Sequence, residues 1–211
     1  MITAFMSVRN KMLNRIEHLL PGSIVFAQDF SGDGTPESVR QQLVQFTQSG
    51  YLKRLSQGVY VLPKKLGEHG NLLPNADEIA AALARRDKAR IIPTGEFALW
   101  KLGLSTQVPL NYVYLTDGPS RIIKIEEVKN RTSYTIKFKH ATPKNFSMRG
   151  KISSQVIQAL KTIGEKNLNP AILTKIESLI MRENIDDLSH DLMIAPAWIG
   201  KLIKDSFNSY K

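Results

Sequence analysis

Apolar residues recur at two periods along this chain, and the change of period marks its parts. Phe5, Val8, Met12, Ile16, Leu19 and Leu20 fall three and four residues apart, which predicts one apolar face of a helix ended by Pro21-Gly22. Ile24-Val25-Phe26 predicts a short strand, and Ala27-Gln28-Asp29-Phe30 one helical turn with Phe30 inward. Ser31-Gly32-Asp33-Gly34 reads as a turn whose glycines would supply positive φ. A second helix is punctuated at both ends. Thr35 can cap it with its hydroxyl, Pro36 sits where no backbone donor is lost, and Gly50 fits a left-handed stop. Val39, Leu43 and Phe46 form its apolar stripe; Glu37, Gln41, Val44, Gln45 and Gln48 lie opposite, with Ser38 and Arg40 on the flanks. Leu52, Leu55, Val59 and Val61, with Tyr51 and Tyr60, then predict two short strands turning at Ser56-Gln57-Gly58.

Residues 63–74 are rich in glycine and charge and read as a linker. Asn75 is placed to cap a helix containing Ile79, Ala82 and Leu83; Ile91-Ile92-Pro93 predicts a strand, and Thr94 a cap for the helix GEFALWKLGL, with Trp100 expected in the core. The period then becomes two. NYVYLTD, RIIKIEEV and TSYTIKFKH predict three strands in an antiparallel meander. After Gly150 helical spacing returns, with three or four helices whose starts are marked by Asn169-Pro170 and Ala195-Pro196. Trp198 fits either a core position or a partner contact. The expected class is α+β: a winged helix-turn-helix over residues 1–66, then an α+β domain over 67–211 with an antiparallel sheet and C-terminal helices.

Charge gives this pattern a direction. The 211 residues carry a formal net charge of +10. Residues 1–66 hold eight Lys/Arg against four Asp/Glu, and residues 121–151 hold nine against two. Two basic regions can therefore meet phosphates and release their counterions; lysines on sheet edges also simply deter aggregation. Cysteine is absent, which excludes disulfides, thiolate metal sites and cysteine nucleophiles. No apolar run approaches the roughly 20 residues of a membrane span, and the N-terminal stretch lacks the order of a secretory signal. A cytoplasmic protein is expected.

A capped helix followed by a hairpin is how a winged helix-turn-helix lays one helix in the DNA major groove and a wing on the flanking backbone. The residues expected to face the groove are Thr35, Ser38, Arg40, Gln41 and Gln45, because Arg and Gln read guanine and adenine edges bidentately. Lys53, Arg54 and Gln57 are expected to touch backbone or minor groove from the wing. Lys124, Lys129, Arg131, Lys137 and Lys139 are expected to add phosphate contacts from the second domain. An ordinary surface helix with solubilising glutamines is the alternative for the second helix alone.

One enzyme signature competes. Asp117 followed by Glu127-Val128-Lys129 matches the D…ExK order of Mg²⁺-dependent nucleases, although Asp117-Gly118-Pro119-Ser120 also reads as a turn. A basic module binding RNA or an acidic protein is a third reading. His18, His69, His140 and His190 lack ligand spacing, and neither GxxxxGK nor GxGxxG occurs, so no metal or cofactor is expected.

The segment TGEFALWKLGLSTQVP, the strand YVYLTDG, a basic strand with Arg121, and IKFKHATP resemble the antitoxin domain of AbiE-type (abortive infection, type IV) toxin–antitoxin systems. The resemblance runs from about Val8 to Leu188 and rests on Gly103, Leu104, Thr106, Gln107, Pro109, Arg121 and His140, positions that define the fold as much as function. It implies a non-enzymatic autorepressor that binds its own promoter through the N-terminal module. Through the C-terminal one it would counter a nucleotidyltransferase toxin, with no direct complex required. Double-stranded DNA is then the expected partner, with room for a dimer on it, and no membrane.

Overall fold

The computed structural model of the chain describes residues 6–65, 71–125 and 133–208, and its architecture is α+β. The chain divides into two compact units, Met1–Ala82 and Leu83–Lys211.

In the first unit, α1 (Val8–Glu17) precedes β1 (Ile24–Val25), a 3-10 turn at Ala27–Phe30 and α2 (Pro36–Gln48). Then come β2 (Lys53–Ser56), β3 (Val59–Val61), β4 (Lys64–Lys65) and β5 (Asn71–Leu72). The strands β1-β3-β2 form one antiparallel sheet. Met12 and Ile16 of α1 meet Val39, Leu43 and Phe46 of α2 in a core closed by Phe30, Leu52 and Tyr60. Each expected inward residue of α2 is thus inside.

Three expectations for this unit change. Leu20 is 80% exposed, because the helix ends at Glu17 and carries it past the apolar face. The glycine at 34 is needed for space, since a Cβ there would lie 2.7 Å from Val8 Cγ2 and from Ser38 Oγ. Residues 63–74 are not a bare linker, as Lys64 pairs with Leu72 and Lys65 with Asn71. Phe5 lies outside the described residues.

Helix α3 (Ala76–Arg86) spans the division between the units. Its start is a reciprocal cap: Glu78 N–H donates to Asn75 Oδ1 at 2.9 Å, and Asn75 N–H donates to Glu78 Oε2 at 2.7 Å.

The second unit contains β6 (Ile91–Pro93), α4 (Gly95–Lys101), β7 (Asn111–Thr116), β8 (Arg121–Ile125) and β9 (Tyr134–His140). Helices α5 (Lys151–Ile163), α6 (Pro170–Ile180), α7 (Ile185–Ile194) and α8 (Ala197–Asn208) follow. Their core joins Val156, Ile157 and Leu160 of α5 to Ile176, Leu188 and Ile199. Trp198 packs against that core from its edge, whereas Trp100 is 37% exposed and only stacks on Phe97, so the expected core position is corrected. Thr94 precedes α4 but makes no side-chain capping bond.

The sheet corrects the antiparallel meander. Its order is β6-β7-β9-β8, with β7 and β9 parallel and β8 antiparallel to β9. The short segment 117–120 therefore crosses the end of β9 instead of closing a hairpin. Two strand spacings are about 10 Å, within the roughly 13 Å that four extended residues reach. His140 fastens the crossing: its N–H donates to Ser120 Oγ at 2.8 Å, and its Nδ1 lies 3.0 Å from Gly118 O.

Candidate nucleic-acid interface

The outward face of α2 follows from its inward one. At 100° per residue, positions opposite Val39, Leu43 and Phe46 are Glu37, Gln41, Val44, Gln45 and Gln48, with Arg40 on the flank, and all six are exposed. Thr35 and Ser38 serve the helix end. Ser38 N–H donates to Thr35 Oγ1 at 3.2 Å, Thr35 Oγ1 donates to Ser38 Oγ at 3.0 Å, and Ser38 Oγ donates to Thr35 O at 2.9 Å. Both hydroxyl protons are committed to the cap, so neither can be donated to a phosphate without breaking it. Arg40 lies 3.6 Å from Glu37 across one turn, an exposed pair that contributes little stability and can open to another anion. Val44, 47% exposed, is an apolar residue on the same outward face.

The hairpin of the same unit is shaped by a bulge. Arg54 pairs with Tyr60 and Ser56 with Val59, so Leu55 is the extra residue and turns into the core. Arg54 Nε donates to Ser56 O at 3.3 Å across that bulge, with the side chain exposed. Gln57 is exposed at the tip and Lys53 is half-buried. Gly58 has φ +71°, a conformation that other residues rarely adopt, which fixes the turn.

In the second unit, directly paired residues share a sheet face. Tyr114, Ile136, Phe138 and Ile125 are buried on one face. The opposite face carries Lys124 and Lys139, both exposed, and Lys137, half-buried between Val113 and Ile122 in register. Ile122 there is 66% exposed. Lys129 and Arg131 lie outside the described residues.

The residues carrying the family resemblance mostly hold the fold. Gly103 has φ +68°, and the N–H groups of Gly103 and Leu104 close the end of α4 on Trp100 O and Leu99 O. Arg121 forms an ion pair with Asp87 and lays its guanidinium 4.8 Å from the Phe138 ring centre. Burial pushes the Asp87 carboxyl up, but hydrogen bonds from Arg86 and Arg121 outweigh it and hold the carboxyl below its ordinary range.

Asp117, the first residue of the nuclease order, is held by Arg90: the Arg90 N–H and Nε each donate to its carboxylate at 2.7 Å. Those bonds keep its carboxyl ionised to lower pH than usual. Glu127 and Lys129 lie outside the described residues, so no geometry joins them to Asp117. Among the described residues no three His, Asp or Glu side chains converge as a metal site. Nor is any described helix long and apolar enough to cross a membrane.

Residues 11–188 match the sequence profile of a family of unknown function, DUF6088, and the chain belongs to that family. A comparison with curated proteins finds no match.

Proposed function

We propose that this chain is a sequence-specific DNA-binding autorepressor and antitoxin of the AbiE-like class, with residues 1–66 acting as a winged helix-turn-helix. The observation that carries the reading is the outward face of α2. Arg40, Gln41, Val44 and Gln45 all reach solvent from a helix capped at its start and buried on its other side. They occupy six residues of helix, roughly 9 Å, enough to address two or three base-pair steps. Arg40 and Gln41 would bond base edges, Val44 would meet a thymine methyl group, and Gln45 would bond an adenine edge or a phosphate.

Lys53, Arg54 and Gln57, on the hairpin of the same unit, supply the wing, Arg54 and Gln57 from exposed positions. Thr35 and Ser38 act through the cap, orienting the first turn. Lys124, Lys137 and Lys139 form a separate phosphate-binding surface, joined in this reading by Lys129 and Arg131. The antitoxin role rests on the resemblance over residues 8–188. In this reading the C-terminal domain, residues 67–211, carries the neutralising activity, acting on the effect of a nucleotidyltransferase toxin without requiring a complex with it. The protein acts in the cytoplasm, alone or as a dimer on DNA, with no cofactor and no membrane.

The test compares affinity of the full chain for duplex DNA from upstream of its own gene, a shuffled duplex and RNA of equal length. The expected order places its own duplex first, with log affinity falling linearly against log salt concentration. Equal binding to RNA would favour the interaction-module reading. Nicking of plasmid DNA that requires Mg²⁺ and is lost in Glu127→Gln would favour the nuclease.

A further inference from the structure

We propose that the cavity lined by Lys144, Asn145, Met148, Lys161, Ile194 and Pro196 is a binding site for a phosphate group. All six residues belong to the second unit, and the proposal does not depend on the DNA-reading role of α2.

The cavity has a volume of about 250 Å³. That is just below the roughly 300 Å³ at which small-molecule clefts begin, so it suits a small anion better than a whole cofactor. Its lining divides into an apolar part, Met148, Ile194 and Pro196, and a polar part of two lysines and one amide, Asn145. No carboxylate lines it. Among the described residues neither Lys144 nor Lys161 has a salt-bridge partner. Asp191, one turn before Ile194 on α7, is turned away and committed to the start of α5.

Two ammonium groups thus share one concavity without a counter-charge. Both lysines reach solvent, and the Lys161 pKa is lowered, first by partial desolvation and then by the positive charge of Lys144. A phosphate carries about −1.5 to −2 at neutral pH and can match both lysines; a carboxylate matches one. Asn145 adds an amide, with one N–H donated to Thr142 Oγ1 at 3.2 Å and another left to give. The lip bearing Lys144 and Asn145 is anchored from behind. Arg90 Nη1 donates to Phe146 O at 2.8 Å, and its guanidinium lies 5.1 Å from the Phe146 ring centre. The backbone carrying Lys144 and Asn145 is therefore an anchored turn, while Lys161 comes from α5.

The test is calorimetric titration of the full chain with inorganic phosphate and with pyrophosphate, at ionic strength fixed with chloride. Saturable binding to one site is expected, weakened about tenfold by Lys144→Met or Lys161→Met and lost when both are changed. Phosphate should also raise the melting temperature of the wild type and leave that of the double variant unmoved, which separates site loss from misfolding. No saturable binding by either anion, or equal binding by the double variant, would overturn the proposal. A second arm separates the sources of the group. Displacement of phosphate by short duplex DNA, with weaker DNA binding in the double variant, assigns it to a nucleic-acid backbone. Binding of a nucleoside monophosphate with DNA affinity unchanged in the double variant assigns it to a small phosphorylated molecule.

Discussion

Replacing Asp191 should destabilise the second unit while sparing the first. Its side chain is 0% exposed, and its carboxylate accepts from Arg149 N–H at 2.8 Å, Gly150 N–H at 3.0 Å and Ser153 Oγ, with His190 Nδ1 at 3.1 Å. Glu183 accepts from two further donors of that turn, Ile152 N–H at 2.6 Å and Ser153 N–H at 2.9 Å. The first turn of α5 is thus capped by side chains some 30 to 40 residues away. In Asp191→Ala two backbone donors and a hydroxyl lose their acceptor in a buried place, costing about 3–5 kcal/mol. In Asp191→Asn one oxygen remains but an amide faces donors, costing about 2–4 kcal/mol.

Both tryptophans, Trp100 and Trp198, belong to the second unit, so their fluorescence in urea follows its unfolding alone. Acid adds an independent check. Burial pushes the Asp191 carboxyl up, but hydrogen bonds from Ser153, Arg149, His190 and Gly150 outweigh it and leave the pKa lowered. Its stabilisation is therefore fully present above the unfolded value of about 3.9, and is lost as pH falls through the lower folded value. The gap between wild type and Asp191→Asn should hold steady from pH 7 to about 5 and shrink below about 4. A gap under about 1 kcal/mol at neutral pH, or one that widens in acid, would refute this account of the α5 cap.

Other outcomes follow from single contacts. Gly34→Ala forces a methyl group against Val8 and Ser38 and should destabilise the first unit by about 1–3 kcal/mol, read by far-UV circular dichroism in urea. Asp87→Asn leaves the Arg121 and Arg86 guanidinium groups without their carboxylate and should cost about 1–3 kcal/mol in the tryptophan-detected transition. Gln41→Ala should lower preference for the chain's own upstream duplex over random DNA. Lys137→Ala should weaken both equally and flatten the salt slope by about one unit in anisotropy titrations.

What could be read from the sequence was local. Thr35-Pro36, the Val39-Leu43-Phe46 stripe and Gly50 specify α2 within sixteen residues, and its outward face follows from helical geometry once the inward face is known. Asn75 and Asn169 announce their helices for the same reason. The order of the large sheet was hidden because β7, β8 and β9 share one period, and a short connection such as 117–120 ordinarily joins neighbours. Only the pairing of residues 111–116 with 135–140 reveals the strand inserted between them. Trp100 was misplaced because its helix is only seven residues long and turns one edge to solvent. The Asp191–Glu183 cap and the Lys144–Lys161 cavity unite residues far apart in the chain, which no spacing rule connects.

The central claim is tested most directly by the ratio of affinities for the chain's own upstream duplex and a shuffled one, in wild type and in Arg40→Ala/Gln41→Ala/Gln45→Ala. Each bidentate base contact discriminates by about 1–3 kcal/mol, so the account predicts a wild-type preference that falls about a hundredfold or more in the triple variant, with thermal stability unchanged. A preference that survives the triple substitution, or a wild type that shows none, would contradict it.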